Sequence, residues 1–138
     1  MSKLKVTTIA DVADSESTDV TNVINGSAKA WVNFDGTFGS SPYTVANGGI
    51  RAAFNVSSVV DNGTGDYTVN FTTAMTDANY AMAGAAEAVN GSGNQANTVG
   101  TLRVSSGTSY STGSIRVITN EGATSRADSN VVSIAIFR

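Results

Sequence analysis

Apolar and polar residues alternate along most of this chain with a period of two, as in strands that turn one face to a core and the other to solvent. In residues 28–34, Ala28, Ala30, Val32 and Phe34 share one face, and Lys29, Trp31 and Asn33 share the other. Residues 50–56 repeat the pattern, with Ile50, Ala52, Phe54 and Val56 expected inward. Tyr67, Val69 and Phe71 form the next inward row, opposite Thr68, Asn70 and Thr72. A short edge or outlying strand is expected at 4–9, and further strands at 80–84, 98–104, 114–119 and 130–137. The last carries Val132, Ile134 and Ile136 on one face and Val131 and Phe137 on the other, so it is expected to be central or covered by another subunit. Residues 81–89 are alanine-rich enough for a helix, but Tyr80, Met82 and Gly84 alternate and Gly84 weakens a helix. About eight strands at short spacing predict an all-β fold: an antiparallel β-sandwich, jelly-roll-like, with an extended N-terminal segment.

Asn62-Gly63 lies between two alternating runs, a hairpin signal because both residues tolerate positive φ. It predicts antiparallel pairing of 50–59 with 67–72. Loops 38–49, 90–97 and 105–113 are rich in Gly, Ser and Asn and are expected to be exposed, where binding residues commonly sit. Residues 11–19 hold Asp, Glu, Ser and Thr with little apolar content. Residues 1–27 are therefore read as an extended lead that docks the protein to a larger particle, and 28–138 as the sandwich domain.

Composition narrows the chemistry. Charged residues are 14% of the chain against a usual figure of about 25%. The surface must then be largely neutral Ser, Thr, Asn and Gly, suited to carbohydrate or to another copy of the chain. A net charge of −3 and eight scattered Lys and Arg residues leave no footprint for nucleic acid. The longest apolar stretch, 80–86, is far short of the roughly 20 residues of a membrane helix, so no membrane insertion is expected. Residues 1–6 carry two lysines with no apolar run behind them, which points to synthesis in a cytoplasm without a secretory signal. The absence of Cys and His excludes disulfides, thiolate or imidazole metal sites and His-dependent nucleophile systems.

What remains is carboxylate chemistry. A glycosidase needs two facing carboxyl groups, and no spacing selects a pair among Asp35, Asp77, Glu87, Glu121 and Asp128. Asp61, Asn62 and Asp66 could suggest a calcium loop, but they match no full EF-hand spacing and suit a turn. The acidic group Asp11, Asp14, Glu16 and Asp19 reads as a solvated stretch. The expectation is accordingly no catalytic residues, no metal, no cofactor and no enzyme activity. Phe38, Tyr43 and Tyr110 sit in expected loops and are the candidate ligand contacts. Trp31 lies opposite its strand's inward row, so it either stacks on a sugar or, with Phe137, fills a subunit interface.

The segment Asn25-Gly-Ser-Ala-Lys-Ala-Trp-Val-Asn-Phe-Asp-Gly36 resembles one recurrent in fibre-like proteins of tailed phages, especially phages of aquatic bacteria. Its continuation, after an insert, is Ile50-Arg-Ala-Ala-Phe-Asn-Val-Ser-Ser-Val59, then Asp61-Asn-Gly-Thr-Gly-Asp-Tyr-Thr-Val-Asn-Phe-Thr-Thr-Ala-Met75 and Asp77-Ala-Asn-Tyr80. The likeness is strong over 25–80 and weak elsewhere, and its motifs are mainly turn and core residues. It implies a virion protein of tail-fibre type that attaches to the host surface, commonly as a homotrimer beside other virion proteins, and it supplies no catalytic residues. A host surface glycan is the ligand expected of such a fibre. A capsid decoration or tail-collar protein with no host ligand is the alternative for so short a chain.

Overall fold

The computed structural model describes residues 5–10, 17–87, 99–104, 110–121 and 125–138. In chain order the elements are β1 (Thr8–Ala10), β2 (Ser17–Asp19), α1 (Val20–Gly26), β3 (Ala28–Phe34), β4 (Ile50–Phe54), β5 (Val56–Gly63), β6 (Asp66–Phe71), β7 (Ala81–Glu87), β8 (Val99–Val104), β9 (Ser114–Glu121), β10 (Ser125–Arg126) and β11 (Val132–Phe137). The alanine-rich stretch is therefore a strand, β7. All pairings are antiparallel. Apart from the small β1–β2 hairpin, the strands follow one hydrogen-bonded path, β4-β3-β11-β7-β8-β9-β6-β5, with β10 on β9.

The path folds into two packed layers, β4-β3-β11-β7 and β8-β9-β6-β5, which make the expected all-β sandwich. The β6–β7 and β9–β11 connections cross between layers and leave β6 beside β9 and β7 beside β11. That order is Greek-key. Phe34, Val59, Tyr67, Val69, Ile115, Val117, Val132 and Ile136 are buried between the layers. The rows read from β6 and β11 face inward as the alternation requires, as do Ala30, Val32 and Phe34 of β3, whereas Ala28, beyond a register shift at Lys29, pairs with Phe137 and is only half-buried.

Asn55 alone separates β4 from β5 and joins the two ends of the path. Its φ of 54° turns the corner, a conformation Asn tolerates better than most residues. Its side chain fixes the corner: Nδ2 donates to the Lys29 and Thr73 carbonyls, and Oδ1 accepts from the Thr73 amide. Residues 50–59 are thus not one strand. β4 pairs with β3, and only β5 forms the hairpin with β6.

The inward row expected in β4 is also corrected. Asn33 pairs with Ala52 but Phe34 with Ile50, so Arg51 is an extra residue in the strand. Such a bulge reverses the faces beyond it. Ile50 stays buried, Ala53 packs against the core, and Ala52 and Phe54 point outward. The hairpin turn is displaced as well. The strands run to Gly63 and resume at Asp66, so Thr64-Gly65 makes the turn and Asn62 is in the strand.

The N-terminal segment is more structured than an extended lead. β1 and β2 pair, and α1 follows, with Asp19 Oδ1 capping it at the Thr21 amide (2.8 Å) and Lys29 Nζ donating to the Ile24 carbonyl beyond its end. None of the described residues in 5–26 is buried. Residues 1–4 and 11–16, and with them Asp11, Asp14 and Glu16, lie outside the described residues.

Candidate functional site

Of the three loop aromatics singled out as ligand contacts, Tyr43 is placed in the core. Its backbone exchanges two hydrogen bonds with Val59 (2.7 and 3.0 Å) and so extends the edge of β5. The ring, 0% exposed, packs near Phe34 and Tyr67 at centroid distances of 6.2 and 6.3 Å. Phe38 is half-buried and closes over it edge-on at 5.7 Å. Loop 38–49 is thus folded onto the sandwich, and the Tyr43 ring, expected at a ligand, is a core residue with no exposed surface to offer one. Tyr110 remains exposed (41%), with its ring 5.1 Å from that of Tyr80. Tyr80 in turn packs edge-on against Phe71, and its hydroxyl lies 3.0 and 2.9 Å from the Ser111 and Ser114 carbonyls. Pattern reading missed Tyr80 as the backing ring of Tyr110. Loop 90–97 and residues 105–109 lie outside the described residues.

Beside the Tyr43 ring the sandwich closes on a polar network. The Tyr67 hydroxyl donates to Asp128 Oδ1 (2.7 Å) and lies 3.0 Å from the Gly36 carbonyl. The Tyr43 hydroxyl donates to Asp61 Oδ2 (3.1 Å). Asp66, 1% exposed, receives Arg116 through Nε at 2.7 Å and through a second guanidinium nitrogen at 2.9 Å, and Arg126 at 2.5 Å. A buried charge is tolerable only with such partners. The carboxylates considered for calcium are occupied in this way, Asp61 Oδ1 also accepting from the Gly63 amide, and Asn62 reaches Asp66 and Thr68 through Nδ2. Asp35 pairs with Arg51, and Asp77 with Arg138. Glu87 is exposed on β7, and the Glu121 side chain lies outside the described residues.

These groups make stability depend on pH at both ends. The Arg116 hydrogen bonds, ahead of its charge and that of Arg126, hold the Asp66 carboxyl below its ordinary value against the opposing effect of burial. A folded pKa below the unfolded one of about 3.9 contributes stability above that pH, lost as pH falls through the folded value. Burial first, then Asp128 and Asp61 respectively, raises the Tyr67 and Tyr43 phenols, and burial raises Tyr80. A raised phenol contributes stability in full below about pH 10 and loses it as pH climbs toward the folded value. The urea midpoint should therefore fall on acidification below about pH 4 and again above about pH 10. Phenolate absorbance from the three buried tyrosines, followed on the same samples above pH 10, should rise together with unfolding. A midpoint flat across the acid range would remove Asp66 as a stabilising group.

The outer face of the β4-β3-β11-β7 layer is of a different kind. Trp31 aligns with Phe54 on β4 and with Ala135 on β11, which aligns with Ala83 on β7. The next row is Ala52, Asn33, Ser133 and Ala85. Trp31 (40%) and Phe54 (53%) are exposed. Small side chains on β7 and β11 leave an open groove of about 440 Å³ beside the indole, with no charged residue in its lining. Its polar side chains, Asn33 and Ser133, are bonded to each other at 2.7 Å. Phe137, half-buried at the end of β11, pairs with Ala81 and follows a bulge against β3. Alternation placed Trp31 outward; the bulge hid Phe54.

No protein-family model matches the chain, and no curated protein matches it in sequence. Among solved structures it is similar to the phiAB6 tailspike, which was crystallised with three-repeated oligosaccharides of Acinetobacter baumannii surface polysaccharide. The match has a TM-score of 0.50 at 14% identity and covers 94% of this chain and 22% of the tailspike. The likeness is one of fold. This chain therefore corresponds in length to about a fifth of that protein.

Proposed function

We propose that the protein is a phage virion component of tail-fibre type that attaches to a bacterial surface glycan as a homotrimer, without cleaving it. The observation that carries this reading is the tailspike-like fold over 94% of the chain, in a protein whose residues 25–80 independently resemble phage fibre modules. A low-charge surface and an exposed tyrosine agree with a neutral sugar ligand. Tyr110 is the ring assigned to it: it stands tilted against Tyr80, and its exposed surface is free to take the CH face of a pyranose. Individually weak contacts are multiplied by three copies on one fibre. Residues 1–27 are assigned to docking on other virion proteins or on a neighbouring copy.

The deciding experiment is adsorption competition, in which purified protein is mixed with host cells and the loss of free phage is timed. Dose-dependent slowing is expected, with no reducing ends released from host polysaccharide. Tyr110→Ala should weaken polysaccharide binding by roughly three- to tenfold per site, the equivalent of about 0.5–1.5 kcal/mol, with little change in the urea midpoint. Unchanged adsorption in the presence of folded protein would sink the attachment role.

A further inference from the structure

Arg116 and Arg126 are brought together by the fold. Arg116 lies between the buried Ile115 and Val117, so it points away from the core. β10 pairs with the end of β9, with Arg126 opposite Asn120, and so lands on the same outer face. Both guanidinium groups meet the buried Asp66 carboxylate while their side chains stay 45% and 48% exposed. We propose that this pair takes the carboxylate of an acidic sugar, so that the attachment glycan carries an acidic residue beside the neutral one assigned to Tyr110. The proposal rests on the attachment reading and names a class of sugar within it.

Asp66 does not need both arginines. Arg116 closes on it side-on, Nε to Oδ1 at 2.7 Å and Nη2 to Oδ2 at 2.9 Å, the two-point fork that matches a carboxylate. That pairing alone balances the buried charge. Arg126 adds a single contact, from Nη1 to Oδ2 at 2.5 Å. Arg116 and the Asn62 amide both do more than Arg126 to hold the Asp66 carboxyl below its ordinary value. Nε and Nη2 of Arg126, the same fork that Arg116 uses on Asp66, have no partner among the described residues. Two guanidinium charges against one carboxylate also leave a positive charge over.

The surroundings suit an anion that arrives on a sugar. Among the described residues, Asp66 is the only carboxylate in the rows of β5, β6 and β9 that share this face. Ser58, Asn62, Thr68 and Asn70 are the neutral hydrogen-bonding groups beside it. An incoming carboxylate therefore meets a free fork and no repelling neighbour. Arg126 is already tethered to a buried group, so binding orders it at less cost than a free surface arginine. Tyr110 pairs with Ile115, the residue before Arg116, so both proposed contacts belong to one strand.

The test titrates full-length protein with host polysaccharide and with the same polymer after carboxyl reduction, which turns each acid into an alcohol. The wild type should bind the native polymer about tenfold more tightly per site than the reduced one, and added salt should narrow the gap. Arg126→Gln should bind both forms as the wild type binds the reduced one. Its urea midpoint should stay near the wild-type value, because Arg116 still holds Asp66. Arg126→Lys keeps the charge without the fork; it should fall between the two, and it stands in should the glutamine chain fold poorly. Tyr110→Ala should weaken both forms alike. Equal wild-type affinity for the two polymers overturns the acidic sugar and leaves attachment standing. An Arg126→Gln chain that keeps the preference for native polymer overturns the arginine site, and a large fall in its urea midpoint would then give Arg126 to Asp66 alone. Binding of neither polymer overturns this inference together with the attachment reading.

Discussion

Gly65→Ala should destabilise the fold by about 3 kcal/mol or more, since it combines backbone strain with overpacking. Gly65 has φ +61°, where side chains are disfavoured, and it lies against two segments of main chain. A Cβ there would fall 2.5 Å from the Thr119 carbonyl oxygen and 2.8 Å from the Ala127 nitrogen. Neither can step aside. The Gly65 amide donates to Asp128 Oδ1 at 2.7 Å, the Thr119 amide donates to the Gly65 carbonyl at 3.0 Å, and the Ala127 amide donates to the Thr119 carbonyl at 3.2 Å. The turn is thereby clasped between β9 and the segment that leads into β11. Gly63→Ala provides the control. It also has positive φ, +122°, but open space around it, so it should show strain alone, about 1–3 kcal/mol. Urea midpoints of the two variants separate strain from contact. Equal losses would mean that the turn moves freely and that the clasp contributes nothing.

The clasp also shows why part of this fold could be read from the chain and part could not. Alternation is uninterrupted in β6, in Val132–Ile136 of β11 and in Ala30–Phe34 of β3, so local period and global burial agree there, and the inward rows and the outward Trp31 follow. β4 fails for a reason that periodicity does not encode. One extra residue at Arg51 reverses every side chain after it and brings Phe54 out beside Trp31. The turn slipped two residues for a similar reason. Asn62-Gly63 has the local chemistry of a turn, but Gly65 is the residue with main chain packed against it, and that tertiary contact is invisible in a hairpin motif. Tyr43 is not legible as a core residue because glycine- and serine-rich surroundings indicate a loop without saying whether the loop folds back. Gly49 marks the answer in the structure: its Cβ position is only 2.8 Å from both Phe38 and Tyr43. The loop is pressed onto the sandwich around a ring. α1 was missed because seven residues with two β-branched valines and a closing glycine carry little helical signal.

That pressed loop leads to the other large effect. Phe34→Ala should reduce stability by about 3–5 kcal/mol, a large share of the roughly 5–15 kcal/mol that holds a domain together. Phe34 is fully buried at the end of β3, with the Tyr67 ring edge-on at 5.2 Å and the Tyr43 ring at 6.2 Å. Removing it leaves a void between two tyrosines whose hydroxyls are fixed by Asp128 and Asp61 and so cannot both collapse inward. Tyr67→Phe is the comparison, because it keeps the ring and loses only the hydroxyl's bonds, at about 1–3 kcal/mol. The order Phe34→Ala well above Tyr67→Phe is required if ring packing dominates the polar network at this end of the sandwich. The reverse order, measured by urea unfolding, would make the network the principal support. Either variant should leave the polysaccharide binding proposed for Tyr110 intact while the chain stays folded, since Tyr110 packs against Tyr80, which in turn packs against Phe71, rather than against this cluster. Loss of binding in a folded Phe34→Ala protein would show instead that loop 38–49, held down by the Tyr43 ring, contributes to the attachment surface.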